Sequence, residues 1–308
     1  MAKVLYYCLL LPLSYLPMAV LYGISSGLYW LSFRLVGYRV AIVRDNIQRS
    51  FPDWGEERVD EQVEKFYRYF FDTLAESIKL FSMSEAEAVA RCNVSNPELL
   101  DPLVNAGKSI IAVGAHYSNW EIAGISFPAI FPRLQVMAVY SPLKNDAADQ
   151  IARANRQRNG TRLVSRRVIK AYFERPRQQP ALEFFVADQS PSNVIWQKIH
   201  WTTFLNQPTG FLAGPERFAV RHDTPIYYMK LRMVKRGHYL GELQRISDDP
   251  TSTTPGEITE AYVRILEEEI QRDPTPWLWT HRRWKREVPP EVAEQLQHQA
   301  YLPPEYER

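Results

Sequence analysis

Cysteine is scarce in this sequence, which contains only Cys8 and Cys92 among its 308 residues. Two cysteines so far apart cannot build a disulfide framework or a cysteine-rich metal cluster, and this favours a reducing compartment. Low-complexity runs and internal repeats are also missing, and the composition of 45% hydrophobic and 23% charged residues is globular. The length predicts one large domain with an additional segment rather than two equal domains.

Charge is nearly absent from residues 4–36, where Arg34 is the single charged residue. This apolar stretch is long enough to cross a hydrocarbon core of about 30 Å, and no small-residue cleavage site follows it, which argues against a signal peptide. Pro12 and Pro17 would bend a helix, so an interfacial hairpin is an alternative. Arginines crowd the far side, and the positive-inside rule puts the body in the cytoplasm. We expect residues 1–38 to be a transmembrane or membrane-anchoring helix.

The remaining chain has the pattern of an α/β protein around residues 109–125. There an apolar β-run ends at Gly114 and is followed by His116 and Glu121. Sites in parallel sheets are built at such strand ends. Histidine suits base chemistry near neutral pH, and Glu121 could hold the ring if the loop folds back from the first turns of the next helix. The alternative is a capped helix with a surface glutamate and a hydrogen-bonded loop histidine.

A second apolar run, residues 181–187, ends in the same way at Asp188. We therefore expect Asp188 close to His116. The other predicted strands cover residues 134–140, 224–230 and 239–246, and the predicted helices cover 56–80, 84–91, 144–159, 208–220 and 256–271. Together they predict a central mixed, mostly parallel sheet flanked by helices, with a catalytic domain over residues 39–290 and a polar tail over 291–308.

The densest charge lies within residues 153–177, which contain nine basic residues and a single acidic one, Glu174. Nucleic acid could bind there, but no nucleic-acid motif is present. A phosphorylated lipid, an acidic carrier protein or anionic headgroups would fit equally well, and the apolar N-terminus favours these membrane-side partners. For several arginines a solvated helix face is the alternative. Residues 277–285 mix tryptophans with cations, which suits lipid headgroups or internal cation–π packing.

The order of several motifs resembles the bacterial lipid A biosynthesis acyltransferases, the late lauroyl and myristoyl transferases within the glycerolipid (lysophospholipid) acyltransferase superfamily. The resemblance extends to about Arg286 and implies a glycerolipid acyltransferase-like fold. The motifs, in chain order, are Asn46 with Phe51-Pro52, then Gly114-Ala115-His116-Tyr117-Ser118-Asn119-Trp120-Glu121, Val139-Tyr140-Ser141-Pro142-Leu143-Lys144, Ala187-Asp188-Gln189 and His281-Arg282-Arg283-Trp284-Lys285.

The resemblance implies transfer of a fatty acyl chain from an acyl carrier protein thioester to a hydroxyl of a lipid A precursor or similar glycolipid. It places the enzyme at the cytoplasmic face of a bacterial inner membrane. His116 would be the general base and Glu121 its orienter. The implied substrate-binding or oxyanion residues are Arg156 or its competitor Arg158, Asp188 and Asn119. Neither a metal nor a cofactor is expected, since acyl carrier protein or coenzyme A brings the acyl group as a substrate.

The sequence departs from the family pattern at Ser141, and the end of its later strand differs from that of the glycerol-phosphate acyltransferases. Family members often have arginine where Ser141 stands, so one positive contact is missing or supplied by another residue. The later strand ends in Val-Ala-Asp-Gln rather than the Phe-Pro-Glu-Gly of glycerol-phosphate acyltransferases, which favours the lipid A branch. A lysophospholipid or phosphatidylinositol mannoside acceptor stays open. So does a membrane protein that binds anionic lipid without catalysis.

Overall fold

A computed structural model describes residues 2–191 and 199–296. Seven strands form one sheet, and two others form a separate antiparallel hairpin. The strands are β1 (Cys92–Val94), β2 (Ile110–Gly114), β3 (Gln135–Tyr140), β4 (Arg162–Ser165), β5 (Ala181–Val186), β6 (Ile199–Phe204), β7 (Gln207–Leu212), β8 (Ile226–Lys235) and β9 (His238–Ser247). The sheet order is β1-β9-β8-β2-β5-β3-β4, and only β8 and β9 pair antiparallel in it. The predicted mixed, mostly parallel sheet is confirmed.

Helices cover both faces of this sheet. They are α1 (Ala2–Leu5), α2 (Leu11–Ser14), α3 (Met18–Leu31), α4 (Val40–Ser50), α5 (Glu56–Lys79), α6 (Glu85–Arg91), α7 (Asp101–Asn105), α8 (Trp120–Ile130), α9 (Asp146–Gln157), α10 (Ile169–Phe173), α11 (Gly214–Arg221), α12 (Glu257–Arg272) and α13 (Pro290–Gln295). The central strand β2 shows why both faces are covered. Its Ile111 and Val113 belong to the cluster that includes α12, whereas Ile110 and Ala112 belong to the cluster that includes α6 and α8.

The apolar N-terminus is divided into short pieces rather than one long helix. π-Helical turns, Tyr6–Leu10 and Ser32–Val36, flank the α-helices. Pro17, which lacks an N–H, precedes α3, and Gly37 ends the region in a left-handed conformation. The longest piece, α3, has 14 residues, so it is about 21 Å long. None of the helices in the described residues is long and apolar enough to cross a membrane, and the transmembrane helix predicted within residues 1–38 is not supported.

Helix α3 lies at the same edge of the sheet as His116. The guanidinium of Arg236, in the turn after β8, stacks on the ring of Tyr22 at 4.0 Å and pairs with Asp72 of α5. Because β8 runs parallel to β2, the turn after β8 and the loop after β2 share the carboxyl edge. Ser25 of α3 also donates to Asp72 at 2.5 Å. The N-terminal helices are therefore held beside the loops that follow the parallel strands.

The largest difference from the predicted elements is at residues 208–220. Instead of one helix, the chain forms strand β7 and then α11. Gly210 pairs with Trp201 in the β6–β7 hairpin, and a Cβ at Gly210 would lie 2.7 Å from Ile199, so this close approach requires glycine. Val292 of α13 packs against the same hairpin, which continues the folded body into the predicted tail. The rest of that tail, residues 297–308, lies outside the described residues.

Candidate active site

His116 and Asp188 lie next to each other at the carboxyl edge of the sheet. His116 follows β2, Asp188 follows β5, and the register pairs Gly114 with Val186 at the two strand ends. Nδ1 of His116 is 2.6 Å from Oδ1 of Asp188, and the same oxygen accepts the backbone N–H of His116 at 3.0 Å. One carboxylate oxygen therefore fixes both the ring and the backbone of the histidine.

The environment of Asp188 keeps its carboxylate ionised. Its second oxygen, Oδ2, accepts the indole N–H of Trp277 at 2.9 Å. Burial alone would raise the pKa of Asp188, but His116 and, less strongly, Trp277 outweigh burial and lower this pKa to about 2. The negative charge can stabilise a cation on the imidazole. With a proton on Nδ1 directed at Asp188, Nε2 of His116 is the atom left to accept a proton.

The Nε2 side of His116 can be reached from solvent. The side chain of His116 is 17% exposed, and Trp120 packs edge-on against its ring with centroids 4.8 Å apart. The side-chain nitrogen of Gln189 lies 3.0 Å from Nε2. A hydroxyl that is to lose its proton to Nε2 therefore has to displace the amide of Gln189 first.

Glu121 has a different partner from the one that the sequence predicts. It lies in the first turn of α8, as expected, but there its carboxylate faces Arg156 on α9. Nε of Arg156 donates to Oε2 of Glu121 at 2.8 Å, and Nη2 donates to Oε1. The predicted contact between Glu121 and the His116 ring is thus corrected, since Asp188 holds Nδ1. The physical reason is that Glu121 lies on the side of α8 that faces α9, where Arg156 meets its carboxylate.

Arg156 remains a candidate for binding an anionic group. Burial opposes the charge of Arg156, but hydrogen bonding and Coulombic attraction from Glu121 raise the pKa of the guanidinium. The side chain is 36% exposed, so a substrate can approach the cation. The carboxylate of Glu121 therefore keeps a positive charge fixed at the rim of the site.

Asn119, predicted to contact substrate, is fully buried and has a supporting role instead. Its Oδ1 caps α8 by accepting the N–H of Ile122 at 3.2 Å, and its Nδ2 donates to Glu76 on α5 at 2.7 Å. The carboxylate of Glu76 also accepts the hydroxyls of Tyr22 at 2.9 Å and Tyr239 at 2.6 Å. Burial raises the pKa of Glu76. These hydrogen bonds around Glu76, the Glu76 cluster, join the start of α8 to α3, α5 and β9.

The guanidinium of Arg158, the competitor of Arg156, has backbone partners. It donates to the backbone carbonyls of Phe81, at 3.1 Å, and Met83, which ties the end of α9 to the loop after α5. Other arginines of residues 153–177 pack on rings or pair with carboxylates: Arg153 on Tyr140, Arg162 on Tyr172, and Arg177 with Glu183. All of the nine basic residues except Arg156 and Arg177 are nevertheless exposed. Most of the predicted basic surface is therefore open to a partner, although several of its arginines already have a ring, carboxylate or carbonyl partner within the protein.

Most of residues 277–285 pack into the core beside the site, as the packing alternative predicted, whereas Arg282 and Lys285 are exposed. Arg283 is 3% exposed, stacks on Phe211 at 4.4 Å and donates to a backbone carbonyl of β7. Nε2 of His281 accepts the N–H of Ser190 at 3.2 Å. Burial, and then Arg283, lower the pKa of His281 to about 4, so this ring is neutral at pH 7. Trp277, whose indole N–H reaches Asp188, was not among the predicted site residues, and the need of a buried indole N–H for a partner is the signal that could have identified it.

The chain also contains the letters of a serine-hydrolase motif, Gly-x-Ser-x-Gly, at residues 23–27. In hydrolases that motif forms a sharp strand-to-helix turn. Here it lies inside α3, and the Ser25 hydroxyl donates to Asp72. The segment therefore does not provide a nucleophile elbow.

The sequence model of the family described as "Bacterial lipid A biosynthesis acyltransferase" matches residues 1–286. The chain is 21% identical over 272 residues to the lipid A biosynthesis palmitoleoyltransferase of Escherichia coli K12, covering 88% of this chain and 86% of that protein. It is 24% identical over 280 residues to a lipid A biosynthesis acyltransferase of Haemophilus influenzae, with the same coverage. The Escherichia coli lauroyltransferase is 22% identical over 274 residues, covering 88% and 87%.

Proposed function

Because the chain belongs to the bacterial lipid A biosynthesis acyltransferase family, we propose that it moves a fatty acyl chain from an acyl carrier protein thioester to a hydroxyl of a lipid A precursor. The observation that carries the proposed mechanism is the 2.6 Å contact between Nδ1 of His116 and Asp188. It supports His116 as the general base and favours Asp188, rather than Glu121, as the residue that orients its ring.

In the proposed step, Nε2 of His116 takes the proton of the acceptor hydroxyl while the oxygen attacks the thioester carbonyl. Asp188 stabilises the imidazolium that forms, as the acid does in a hydrolase triad. When the tetrahedral intermediate collapses, the carbon–sulfur bond breaks and the thiolate takes the proton back from Nε2. The products are the ester and the carrier thiol, so the two substrates balance the reaction and the proposal needs no metal or cofactor. A positioned base typically contributes about 10²–10⁴-fold.

Arg156 is the residue that we propose for the charge on the substrate. A lipid A precursor carries anionic groups, and the tetrahedral intermediate carries a negative oxygen. The ion pair with Glu121 supports this role because it fixes the guanidinium at the rim while leaving it partly exposed. Glu121 would thus serve the reaction through Arg156.

Membrane association is proposed through the outer face of α3. Its exposed apolar side chains recur every three or four residues: Val20, Ile24, Leu28 and Leu31. The opposite face, with Leu21, Ser25 and Tyr29, is buried against the protein. A helix whose polar groups turn inward and whose apolar groups turn outward suits the interface of a bilayer. We propose that the chain lies on the cytoplasmic face of the bacterial inner membrane.

The acyl donor is proposed to be an acidic carrier protein. Arg166, Arg167 and Lys170 are exposed, and Arg166 and Arg167 directly follow β4, a strand of the same carboxyl edge. Positive charge at that edge would attract an acidic partner towards the site. Coenzyme A, with its phosphates, is the donor to compare with it.

The test is an acyl-transfer assay with the purified full chain in detergent micelles that contain a lipid A precursor. With acyl carrier protein thioester present, mass spectrometry is expected to show one added acyl chain. His116→Ala should lower the rate by about 10²–10⁴-fold, whereas His222→Ala, on the loop before β8 at the opposite edge, should not. A folded His116→Ala protein with the wild-type rate would contradict the proposed mechanism.

The same assay separates the alternatives. Acyl-coenzyme A in place of the carrier thioester reports on the donor. A lysophospholipid and a phosphatidylinositol mannoside in place of the lipid A precursor report on the acceptor. Transfer to one of these lipids alone would replace the proposed acceptor, and binding to anionic vesicles with no transfer to any lipid would favour a non-catalytic protein.

A further inference from the structure

Both carboxylate oxygens of Asp188 accept hydrogen bonds, and His116 donates to only one of them. Oδ1 accepts two hydrogen bonds from His116, and Oδ2 accepts the indole N–H of Trp277. A carboxylate with donors on both oxygens cannot rotate about its last side-chain bond without losing one of them. Since Asp188 is 4% exposed, water is poorly placed to replace a lost donor.

Trp277 is itself immobilised. Its ring packs edge-on against Trp279, Trp284 and Phe204, with centroid distances of 4.7, 5.9 and 5.8 Å. Its backbone forms an isolated antiparallel bridge with Tyr117, the residue after His116. The residues on either side of this bridge add a further bond, from the N–H of Ser118 to the carbonyl of Pro276 at 3.1 Å.

The segment that follows Trp277 is fastened to the N-terminal part of the chain. Nδ2 of Asn46 on α4 donates to the carbonyls of Trp279 at 2.8 Å and His281 at 3.0 Å. Arg39, at the start of α4, donates to the carbonyl of Thr280 at 3.0 Å. These bonds hold the backbone from which the Trp277 indole reaches Asp188.

We propose that Trp277 is a positioning residue of the acyl-transfer site, whose indole N–H keeps the Asp188 carboxylate aimed at Nδ1 of His116. This inference rests on the function proposed above. Without that donor, Oδ2 is left buried and unpaired, so the carboxylate turns away from His116 or takes up a proton. Either change removes the anion that fixes the ring and stabilises its cation.

The test compares two tryptophans of one cluster. Trp277→Phe keeps an aromatic ring but removes the donor to Asp188. Trp284→Phe is the matched control, since its indole N–H donates to Thr209 at 2.8 Å instead. We expect Trp277→Phe to lower kcat by about ten- to a hundredfold with little change in KM, and Trp284→Phe to leave both near the wild-type values.

A second readout does not depend on catalysis. The pKa of the Asp188 carboxyl is followed by NMR of aspartate labelled at Cγ, and Trp277→Phe should raise this pKa above its value of about 2, because one of the donors that lower it is lost. If neither substrate set gives acyl transfer with the wild type, the proposed function fails, but the titration still decides the role of Trp277. If Trp277→Phe does not fold, benzothienylalanine at position 277 keeps the indole shape without the N–H. Wild-type kcat and an unmoved titration would overturn the proposal.

Discussion

The two aromatic, apolar regions near the ends of the family-matched chain have opposite environments. Helix α3 exposes Val20, Ile24, Leu28 and Leu31 on its outer face, and Trp30 at its end is 58% exposed. In residues 277–284, by contrast, most side chains pack into the core beside His116 and Asp188, and Trp279 is fully buried. From the sequence, both regions suited a lipid interface.

The difference lies in where the polar atoms point. In the C-terminal segment, the indole N–H groups of Trp277, Trp279 and Trp284 all donate to partners inside the protein. In α3, the hydroxyls of Tyr22 and Tyr29 turn inward to carboxylates of α5. The exposed hydroxyl of Ser26 donates to the carbonyl of Tyr22 on its own helix, so the outer face is mainly apolar. Aromatic content alone therefore does not distinguish a membrane-facing surface from a core segment, whereas the hydrogen-bond partners do.

The largest difference between the two regions is expected in stability. Trp279→Ala removes a fully buried side chain and should lower the free energy of unfolding by about 3–5 kcal/mol. Trp30→Ala, on the exposed face, should change it by no more than about 0.5 kcal/mol. Denaturant unfolding of both variants in the same detergent measures the contrast. Equal losses would mean that Trp30 is buried or that Trp279 is not.

The second expected effect is on membrane binding. Ile24→Asp combined with Leu28→Asp places two charges on the outer face of α3 and should reduce vesicle binding by about a hundredfold, since burying a leucine-sized side chain is worth about 1.5–3 kcal/mol. Lys108→Asp, before β2 at the opposite edge, changes the net charge equally and serves as the control. Cosedimentation with vesicles of defined composition measures both. If the double variant binds as the wild type does, the outer face of α3 is not the anchor.

A smaller effect is expected where α3 meets the body. Tyr22→Phe removes one hydroxyl from the Glu76 cluster and should lower the free energy of unfolding by about 1 kcal/mol. It leaves the outer face unchanged, so vesicle binding should stay at the wild-type level. Loss of vesicle binding without loss of stability would show that the inner face of α3, rather than the outer one, contacts lipid.

The sequence predicted the parts of the site that depend on local rules. Parallel strands share one edge, so the two apolar runs ending near His116 and Asp188 were enough to bring these residues together. The placement of Glu121 in the first turns of the next helix was also correct, because Gly114 and Asn119 precede α8 as turn and cap residues. The mostly parallel sheet followed from the same strand patterns.

The parts that failed depend on contacts between distant segments. Glu121 was paired with His116 because they are close in sequence, but α9 brings Arg156 to the carboxylate. Trp277 reaches Asp188 from 89 residues further along the chain, and no local pattern marks such a bond. At the N-terminus, hydropathy described the apolarity correctly, but Pro17 interrupts the region, and none of the helices in the described residues is long and apolar enough to cross a membrane.

The central claim is that Asp188, and not Glu121, acts through His116. A double-mutant cycle of the acyl-transfer rate tests it most directly. When two residues act as one unit, replacing the second residue after the first causes no further loss of rate. Asp188→Asn should lower the rate by about 10²–10⁴-fold alone and by nothing more in a His116→Ala background, whereas Glu121→Gln should keep its own effect there. If instead Glu121→Gln loses its effect in that background and Asp188→Asn keeps its own, Glu121 orients the base and the account is contradicted.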